Sequence, residues 1–285
     1  MSGGPPEGVV LVDKPPGMTS HDAVDAVRRA LGTRKVGHAG TLDPMATGLL
    51  VIGVGRATRL LRFLGETPKT YEGTFRLGIE TSTLDADGEV TRTRAVEATD
   101  EAIAAAMAAK VGTSEQTPPA FSAVKVGGRK LYDAAREGDV IEAASRPITV
   151  DRFDLVGRRD DEVDFLAVVG GGTYVRVLAA DVGAALGCGA HLTRLRRTAI
   201  GTFSVDDAAP PDRPGTPAPL EVAVAHLPRV DLDPDEALAA SHGRVLAPAG
   251  IAGPYAVFGP GGALVGIWLD REVNAKPEVV LARRE

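Results

Sequence analysis

The chain has 285 residues, of which 44% are hydrophobic, and its formal net charge is −6. This is enough apolar sequence for one large and one small domain, and the single cysteine, Cys188, excludes an internal disulfide and a cysteine zinc cluster. The N-terminal residues lack the segments of a secretion signal, and no apolar run approaches the ~20 residues that cross a membrane. We therefore expect a cytoplasmic protein without a membrane association.

The basic residues are concentrated near the start of the chain. Between Arg28 and Leu64 there are seven lysines and arginines and a single acid, Asp43. A basic zone around one acid suits a polyanionic substrate such as RNA, whereas solvated faces of both signs are the alternative interpretation.

The first elements are predicted from apolar runs and end signals. Residues 9–12 predict a buried strand that ends at the turn Asp13-Lys14-Pro15-Pro16-Gly17. Thr19 and Asp22 have the spacing of a capping box, and they predict a helix that ends at Gly32.

The segment from Gly37 to Gly48 carries a lone carboxylate, Asp43, on a turn stiffened by Pro44. An apolar run, residues 49–54, follows as a predicted buried strand. From local chemistry alone, Asp43 could simply accept amide hydrogen bonds in the turn. Residues 53–58 partly imitate a dinucleotide fingerprint but lack its third glycine. A short helix with a basic face is predicted instead from Arg56, Ala57, Leu60 and Leu61.

The middle of the chain alternates between strand, turn and helix patterns. Residues 70–77 alternate as a strand with Tyr71 on one side, and residues 83–88 predict a hairpin loop rather than a calcium loop. Thr99 caps a predicted helix that runs from residue 100 to about residue 110. The stretch 117–140 is basic and irregular, with a helix predicted near residues 131–138.

The last part contains a second candidate site residue. Strands are predicted near Arg146 and over residues 165–169, and a glycine-rich turn then leads into a helix that ends at Gly187. Arg176 falls in the first turn of that helix, where the helix dipole disfavours a cation, so a specific anionic partner is expected. A proline-rich linker at residues 209–219 precedes a region with short predicted strands at residues 255–258 and 263–269.

Four motifs occur in the order that they have in one enzyme family. They are Asp13-Lys14-Pro15-Pro16-Gly17, His38-Ala39-Gly40-Thr41-Leu42-Asp43-Pro44, Lys69-Thr70-Tyr71 and Gly172-Thr173-Tyr174-Val175-Arg176. Over residues 8–203 the chain resembles the TruB family of tRNA pseudouridine synthases. The resemblance implies an α+β fold with a mixed, largely antiparallel sheet flanked by helices at residues 7–228. It also implies an RNA-gripping insertion at 117–140 and a reduced, β-rich PUA-like domain at 229–285.

The resemblance further implies an isomerase that flips a uridine out of the T loop of tRNA, at conventional position 55, and converts it to pseudouridine. Neither a cofactor, a metal nor an obligate protein partner is expected, and the protein is expected to be a monomer that binds the tRNA T arm. The expected catalytic residues are Asp43, Tyr71 and Arg176, and the expected substrate-binding residues are His38, Gly40, Thr41, Leu42, Tyr174, Leu195, Arg59, Lys125 and Lys130.

Three other interpretations stay open at this point. A non-catalytic RNA-binding module could use the same basic surface, although it would gain nothing from an acid amid seven bases. A guide-dependent pseudouridine synthase of the dyskerin group would carry longer terminal extensions. A nucleotide-dependent enzyme rests only on residues 53–58.

Overall fold

The computed structural model describes residues 5–122, 124–131, 137, 139, 141 and 143–281, with only the backbone of residues 125 and 130. The helices of this part are α1 (Ser20–Leu31), α2 (Asp100–Ala108), α3 (Val175–Ala185) and α4 (Pro234–Ser241). The strands are β1 (Gly8–Lys14), β2 (Val36–Ala39), β3 (Thr47–Val54), β4 (Lys69–Leu77), β5 (Ile79–Thr81), β6 (Val90–Thr93), β7 (Gly112–Gln116), β8 (Lys125–Val126), β9 (Arg129–Lys130), β10 (Arg146–Arg159), β11 (Glu162–Val169), β12 (Ala190–Ile200), β13 (Phe203–Ser204), β14 (Arg229–Asp231), β15 (Pro254–Phe258), β16 (Leu264–Arg271) and β17 (Asn274–Val280).

A nine-stranded sheet forms the larger part of the fold. Its main path runs β1-β3-β12-β4-β11-β10-β7, with β2 paired to β3 and β13 paired to β12. Every pairing in it is antiparallel except the short parallel contact of β12 with β3. The predicted mixed, largely antiparallel sheet with flanking helices is therefore confirmed.

The contact between β12 and β3 depends on one glycine. Gly48 has a φ of +100°, and a Cβ on it would lie 2.3 Å from the carbonyl oxygen of Arg197. Only glycine permits this approach. The glycine that closes the Asp43 segment thus brings that segment against β12.

Strand β3 is buried on both faces, as its continuous apolar sequence predicts. Leu50 and Ile52 belong to an apolar core shared with α1, α2 and α3. Leu49 and Val51 belong to a second core, which is shared with the C-terminal strands β15, β16 and β17. The helices and the C-terminal sheet therefore cover different faces of the main sheet.

The end signals in the sequence are reproduced in the structure. Thr19 and Asp22 form the capping box of α1, and Gly32 ends that helix with a left-handed φ of 62°. Thr99 caps α2. The single cysteine, Cys188, is a buried free thiol. The loop between β5 and β6 contains residues 83–88, as predicted.

Two predicted segments differ in detail. The predicted basic helix is a pair of 3-10 turns, Gly55–Arg59 and Leu61–Leu64. The proline-rich linker is bonded along β1: Ala218 exchanges two main-chain hydrogen bonds with Val9 (2.9 and 2.7 Å), and Ala209 bonds to the same strand. The linker therefore covers the outer edge of β1, which would otherwise be an open sheet edge.

Three arginines of the 3-10 turns donate hydrogen bonds to main-chain carbonyl groups at the end of β17 and directly after it. Arg59 Nη1 donates to the carbonyl oxygen of Val280 (2.5 Å), and Arg62 Nη2 donates to that of Glu278 (3.0 Å). Arg56 donates to the carbonyl oxygen of Leu281. Because a 3-10 helix has three residues per turn, a spacing of three places all three side chains on one face. We call Arg56, Arg59 and Arg62 the arginine ladder.

The C-terminal part is a four-stranded sheet in the order β14-β15-β16-β17. The division into residues 7–228 and 229–285 stays a prediction. The predicted helix near residues 131–138 lies largely outside the described residues. No helix in the described part is long and apolar enough to cross a membrane.

Candidate active site

Asp43 lies in the loop between β2 and β3, and this loop is fixed on both sides of the aspartate. On one side, Ser20 Oγ donates to the carbonyl oxygen of Leu42 (3.0 Å) and accepts from its amide (2.8 Å). On the other side, the carbonyl oxygen of Pro44 accepts from the amide of Gly17 (2.9 Å). The turn after β1 and the first turn of α1 therefore hold both neighbours of the carboxylate.

Lys14 adds a buried ammonium group to this support. Its Nζ donates to the carbonyl oxygens of Met18 (2.7 Å), Pro15 (3.0 Å) and Pro44 (3.2 Å), so carbonyl groups accept from all three of its N–H donors. Burial lowers the pKa of Lys14 to about 8, although the nearby charge of Asp43 opposes this shift. The lysine thus joins the turn after β1 to the Asp43 loop.

Arg176 is the residue that pairs with Asp43. Its Nη2 lies 3.4 Å from Asp43 Oδ1, and its Nη1 lies 3.3 Å from Asp85 Oδ2. The same guanidinium donates to the carbonyl oxygens of Phe121 (2.7 Å) and Thr83 (3.2 Å). The anionic partner expected for an arginine in the first turn of α3 is therefore a pair of aspartates.

Asp85 was not predicted as a site residue. It is buried, and it also accepts from Thr83 Oγ1 and from the amide of Asp87 (3.1 Å). In the sequence it stands in an Asp-Ala-Asp-Gly turn, a pattern that any exposed hairpin loop can have. Only the fold of the β5–β6 loop against α3 reveals its partner.

The carboxyl group of Asp43 is accessible but poorly solvated. Its side chain is 34% exposed, whereas that of Arg176 is 4% exposed, so a substrate can reach the carboxylate and the arginine is held behind it. Burial raises the pKa of Asp43 above its usual value; Arg176 opposes this shift, and the negative charges of Asp85 and Asp87 add to it. A carboxylate that is short of solvent is more basic and more nucleophilic than one in water.

Tyr71 lies on β4, and its ring is buried beside Arg197 of β12. Arg197 Nη1 donates to the Tyr71 hydroxyl (3.5 Å), Nη2 to the carbonyl oxygen of Gly40 (3.0 Å), and Nε to that of Leu49 (2.8 Å). Arg197 is 1% exposed. This buried arginine therefore ties Tyr71 to both ends of the Asp43 loop, a role that its sequence position did not reveal.

One cleft of about 1030 Å³ is lined by Asp43, Asp85, Arg176, Tyr71 and Arg197. The cleft brings together nine of the predicted site residues, namely His38, Gly40, Thr41, Leu42, Asp43, Tyr71, Tyr174, Arg176 and Leu195. Arg59 does not line it, and the side chains of Lys125 and Lys130 lie outside the described residues. The roles of all these residues stay predictions.

The cleft contains polar atoms that have no partner within the described residues. They include His38 Nδ1, Ser122 Oγ and Arg176 Nε. Burial and the charge of Arg197 lower the pKa of His38, so its imidazole is neutral at physiological pH. In the described part, no group of three or more His, Cys, Asp or Glu side chains is arranged to hold a metal ion. A polar, uncharged ligand such as a nucleobase fits these donors and acceptors.

Comparisons with known proteins define the class. A family model described as TruB family pseudouridylate synthase (N terminal domain) matches residues 28–175. Models for tRNA pseudouridylate synthase B C-terminal domain and tRNA Pseudouridine synthase II, C terminal, match residues 176–210 and 227–282. The fold is thus that of a pseudouridine synthase, an enzyme class that isomerises uridine in RNA.

Curated relatives give the family. A tRNA pseudouridine synthase B of Mycobacterium sp. (strain KMS) is 51% identical, and the match covers 96% of both chains. Another, from Thermobifida fusca (strain YX), is 47% identical over 97% of this chain and 99% of the relative. The chain belongs to the TruB family, and it is a tRNA pseudouridine synthase.

Solved structures show the same fold. The crystal structure of a Cbf5-Nop10-Gar1 complex contains a chain that is 27% identical, with a TM-score of 0.73, covering 96% of this chain and 84% of that one. The structure of an H/ACA RNP bound to a substrate RNA containing 2′-deoxyuridine matches with a TM-score of 0.72 at 24% identity, covering 98% and 86%. The second match supports the fold alone.

Proposed function

We propose that the enzyme converts the T-loop uridine at conventional position 55 of tRNA to pseudouridine, without a guide RNA, a partner subunit or a cofactor. The observation that carries this proposal is the juxtaposition of Asp43 with Arg176 at 3.4 Å in a cleft that Tyr71 also lines. A base within folded RNA is inaccessible, so the uridine must be flipped out to enter such a cleft.

The reaction moves one bond and needs no redox chemistry. The C1′–N1 bond breaks, the detached uracil turns, C5 bonds to C1′, the proton on C5 is released, and N1 takes up a proton. In our proposal the ionised carboxylate of Asp43 starts the cleavage, either by attacking C1′, from which C5 later displaces it, or by removing the proton from C2′, which it later returns. Arg176 holds this carboxylate and favours its ionised form, which offsets part of the effect of burial on its pKa.

The other cleft residues are assigned to holding the uridine. Tyr71 stacks on the flipped uracil and assists removal of the C5 proton, and Leu195 forms an apolar wall of the base pocket. The segment from Gly40 to Leu42 and Tyr174 contact the flipped nucleotide. The neutral imidazole of His38 occupies the space in the T loop that the target base has left.

A tritium-release assay tests the proposal. Purified protein is incubated with an unmodified tRNA transcript that contains [5-³H]uridine, with no cofactor and no other RNA. We expect one tritium to be released per tRNA, and none from a control transcript in which cytidine replaces the T-loop uridine. Release that is unchanged in the control transcript would refute the assignment of the target uridine.

The same assay decides on guide dependence. Two of the matched structures are complexes that contain further components, a Cbf5-Nop10-Gar1 complex and an H/ACA RNP. The curated relatives at 44–51% identity are instead named as tRNA enzymes. If the protein alone releases no tritium from any tRNA transcript, the proposed independence from a guide RNA is wrong.

A further inference from the structure

Three cations that line the cleft have no carboxylate partner among the described residues. They are Lys69, Arg146 and Arg197. Arg176, in the same cleft, pairs with two aspartates. The lining of the cleft as a whole also contains Asp43, Glu66, Asp85 and Asp87, but a cation without a carboxylate partner attracts an anionic ligand locally.

Arg146 also has an unused donor. Its Nε is buried without a hydrogen-bond partner in the described part of the chain, and so is Oγ1 of Thr173. Both residues line the cleft. Buried polar atoms are normally satisfied, so each of these two donors is available to a ligand that accepts hydrogen bonds.

The guanidinium of Arg146 is held rigidly for such a ligand. Arg146 donates to the carbonyl oxygen of Gly172, and its guanidinium carbon lies 5.2 Å from the centre of the Tyr174 ring. Gln116, directly opposite Arg146 in the β7–β10 ladder, bonds to both the amide (2.8 Å) and the carbonyl oxygen (3.2 Å) of Tyr174. The arginine and the ring that it covers are therefore fixed to one another through the sheet.

Lys69 belongs to the same wall of the cleft. Its Nζ donates to the carbonyl oxygens of Leu64 (3.3 Å) and Gly65. Gly171 packs directly on Gly65, because a Cβ on Gly171 would lie 2.2 Å from that carbonyl oxygen. This contact joins the lysine to the glycine turn that Arg146 covers.

We propose that Arg146, Thr173 and Lys69 form a binding site for one phosphodiester group of the RNA, next to the flipped uridine. A guanidinium N–H, a hydroxyl and an ammonium charge form a donor set suited to a phosphate oxygen. The site rests on the proposed function, since it takes the RNA as the ligand of the cleft. It fixes the path of the RNA backbone relative to Asp43.

Salt dependence of binding gives the first test. Affinity for a full-length unmodified tRNA transcript is measured for wild type, Arg146→Gln and the control Arg152→Gln over a range of salt concentrations. Arg152 lies on the same strand, is paired with Asp154 and does not line the cleft. Loss of one phosphate contact should reduce the slope of log affinity against log salt by about 0.7 in Arg146→Gln only. Equal slopes in the two variants would count against the site.

Neutral linkages give the decisive test. A set of T-arm stem-loop RNAs carries a single methylphosphonate at each linkage around the target uridine in turn. At one linkage, wild type should lose about 10-fold in affinity or more, because a charge-assisted hydrogen bond is removed. Arg146→Gln should lose less than about 2-fold at that same linkage, because the contact is already absent. If no linkage shows this coupling, the ligand of Arg146 is not a phosphate and the proposal is wrong.

Thr173→Val separates binding from folding. Because Oγ1 of Thr173 has no partner in the described structure, its loss should leave Tm unchanged or slightly higher. The same variant should weaken stem-loop binding and lose the coupling at the linkage found with Arg146→Gln. A fall in Tm with unchanged affinity would show that Thr173 is structural and would remove it from the site.

Tritium release from the unsubstituted stem-loop is measured in parallel. The absence of release with the wild-type protein refutes the proposed reaction, whereas the coupling between Arg146 and one linkage decides on the phosphate site.

Discussion

Asp85→Asn should destabilise the protein and shift the pH dependence of its activity. At 3.3 Å, with an effective dielectric constant of about 20, the attraction between Arg176 and Asp85 is about 5 kcal/mol. Removing one partner of a buried pair typically costs ~3–5 kcal/mol, because the other charge stays buried. Here Asp43 remains 3.4 Å from the same guanidinium, so we expect a loss of about 2–3 kcal/mol.

This loss is measurable by thermal unfolding. A large domain shifts its Tm by about 2–4 °C per kcal/mol, so Tm should fall by about 4–12 °C. The matched control is Asp231→Asn, which removes the acid of an exposed pair with Arg229 and should leave Tm unchanged. Turnover at neutral pH should fall about 10–100-fold, because Arg176 loses one of its two anchoring carboxylates.

The pH–rate profile of Asp85→Asn carries the sharper signature. The negative charge of Asp85 contributes to the raised pKa of Asp43, so its removal lowers that pKa. If ionised Asp43 is required, the acid limb of kcat should move to lower pH although kcat itself falls. A variant with wild-type Tm and an unmoved acid limb would refute the interpretation of Asp85 as the second partner of Arg176.

Four further substitutions test single roles. Asp43→Asn should abolish tritium release and leave tRNA binding intact. Burial raises the pKa of Asp43, so the folded protein loses stability as pH rises through that pKa and the carboxyl group ionises. The Tm of Asp43→Asn at neutral pH should therefore equal or exceed that of the wild type, and a lower Tm would contradict this. Tyr71→Phe should reduce turnover by ~10²-fold or more with little change in Tm, and normal turnover would leave Tyr71 as a stacking or core residue. Arg176→Lys keeps the charge but loses the planar fork, so a folded variant should lose most activity; full activity would mean that charge suffices. Arg59→Ala should flatten the salt dependence of tRNA binding if Arg59 contacts phosphate, whereas an unchanged slope with a lower Tm would identify its bond to Val280 as its main role.

The sequence predicted those features that depend on short-range chemistry. The capping box of Thr19, the end of α1 at Gly32 and the buried run of β3 each follow from a few neighbouring residues, and all three are present. Arg176 was singled out because its position at a helix start is unfavourable without a partner. Rules about neighbouring residues were sufficient to predict these features, because each feature is formed mainly by residues close together in the sequence.

The missed features depend on contacts between distant segments. The sequence indicates only a turn for Asp85 and predicts no element at Gln116. The two residues gain a role only when their loop and strand lie against Arg176 and Tyr174. The count of charges between Arg28 and Leu64 also did not show which basic residues face the cleft. Arg56, for example, pairs with Glu7 and does not line the cleft. Charge counting shows that cations are concentrated, but it does not show which of them are already neutralised.

The arginine ladder constrains how the C-terminal strand can vary. Its acceptors in the C-terminal sheet include the main-chain carbonyl groups of Glu278, Val280 and Leu281, and every amino acid supplies such a group. Substitutions at these three positions therefore leave the main-chain hydrogen bonds available, although replacing Glu278 also removes the ion pair of its carboxylate with Arg62. A one-residue insertion or deletion in β17, in contrast, would displace all three carbonyl groups from their arginines at once. The hydrogen bonds of this attachment thus depend on the length of the last strand, whereas its apolar contacts, which include Val279 and Leu281, depend on the side chains.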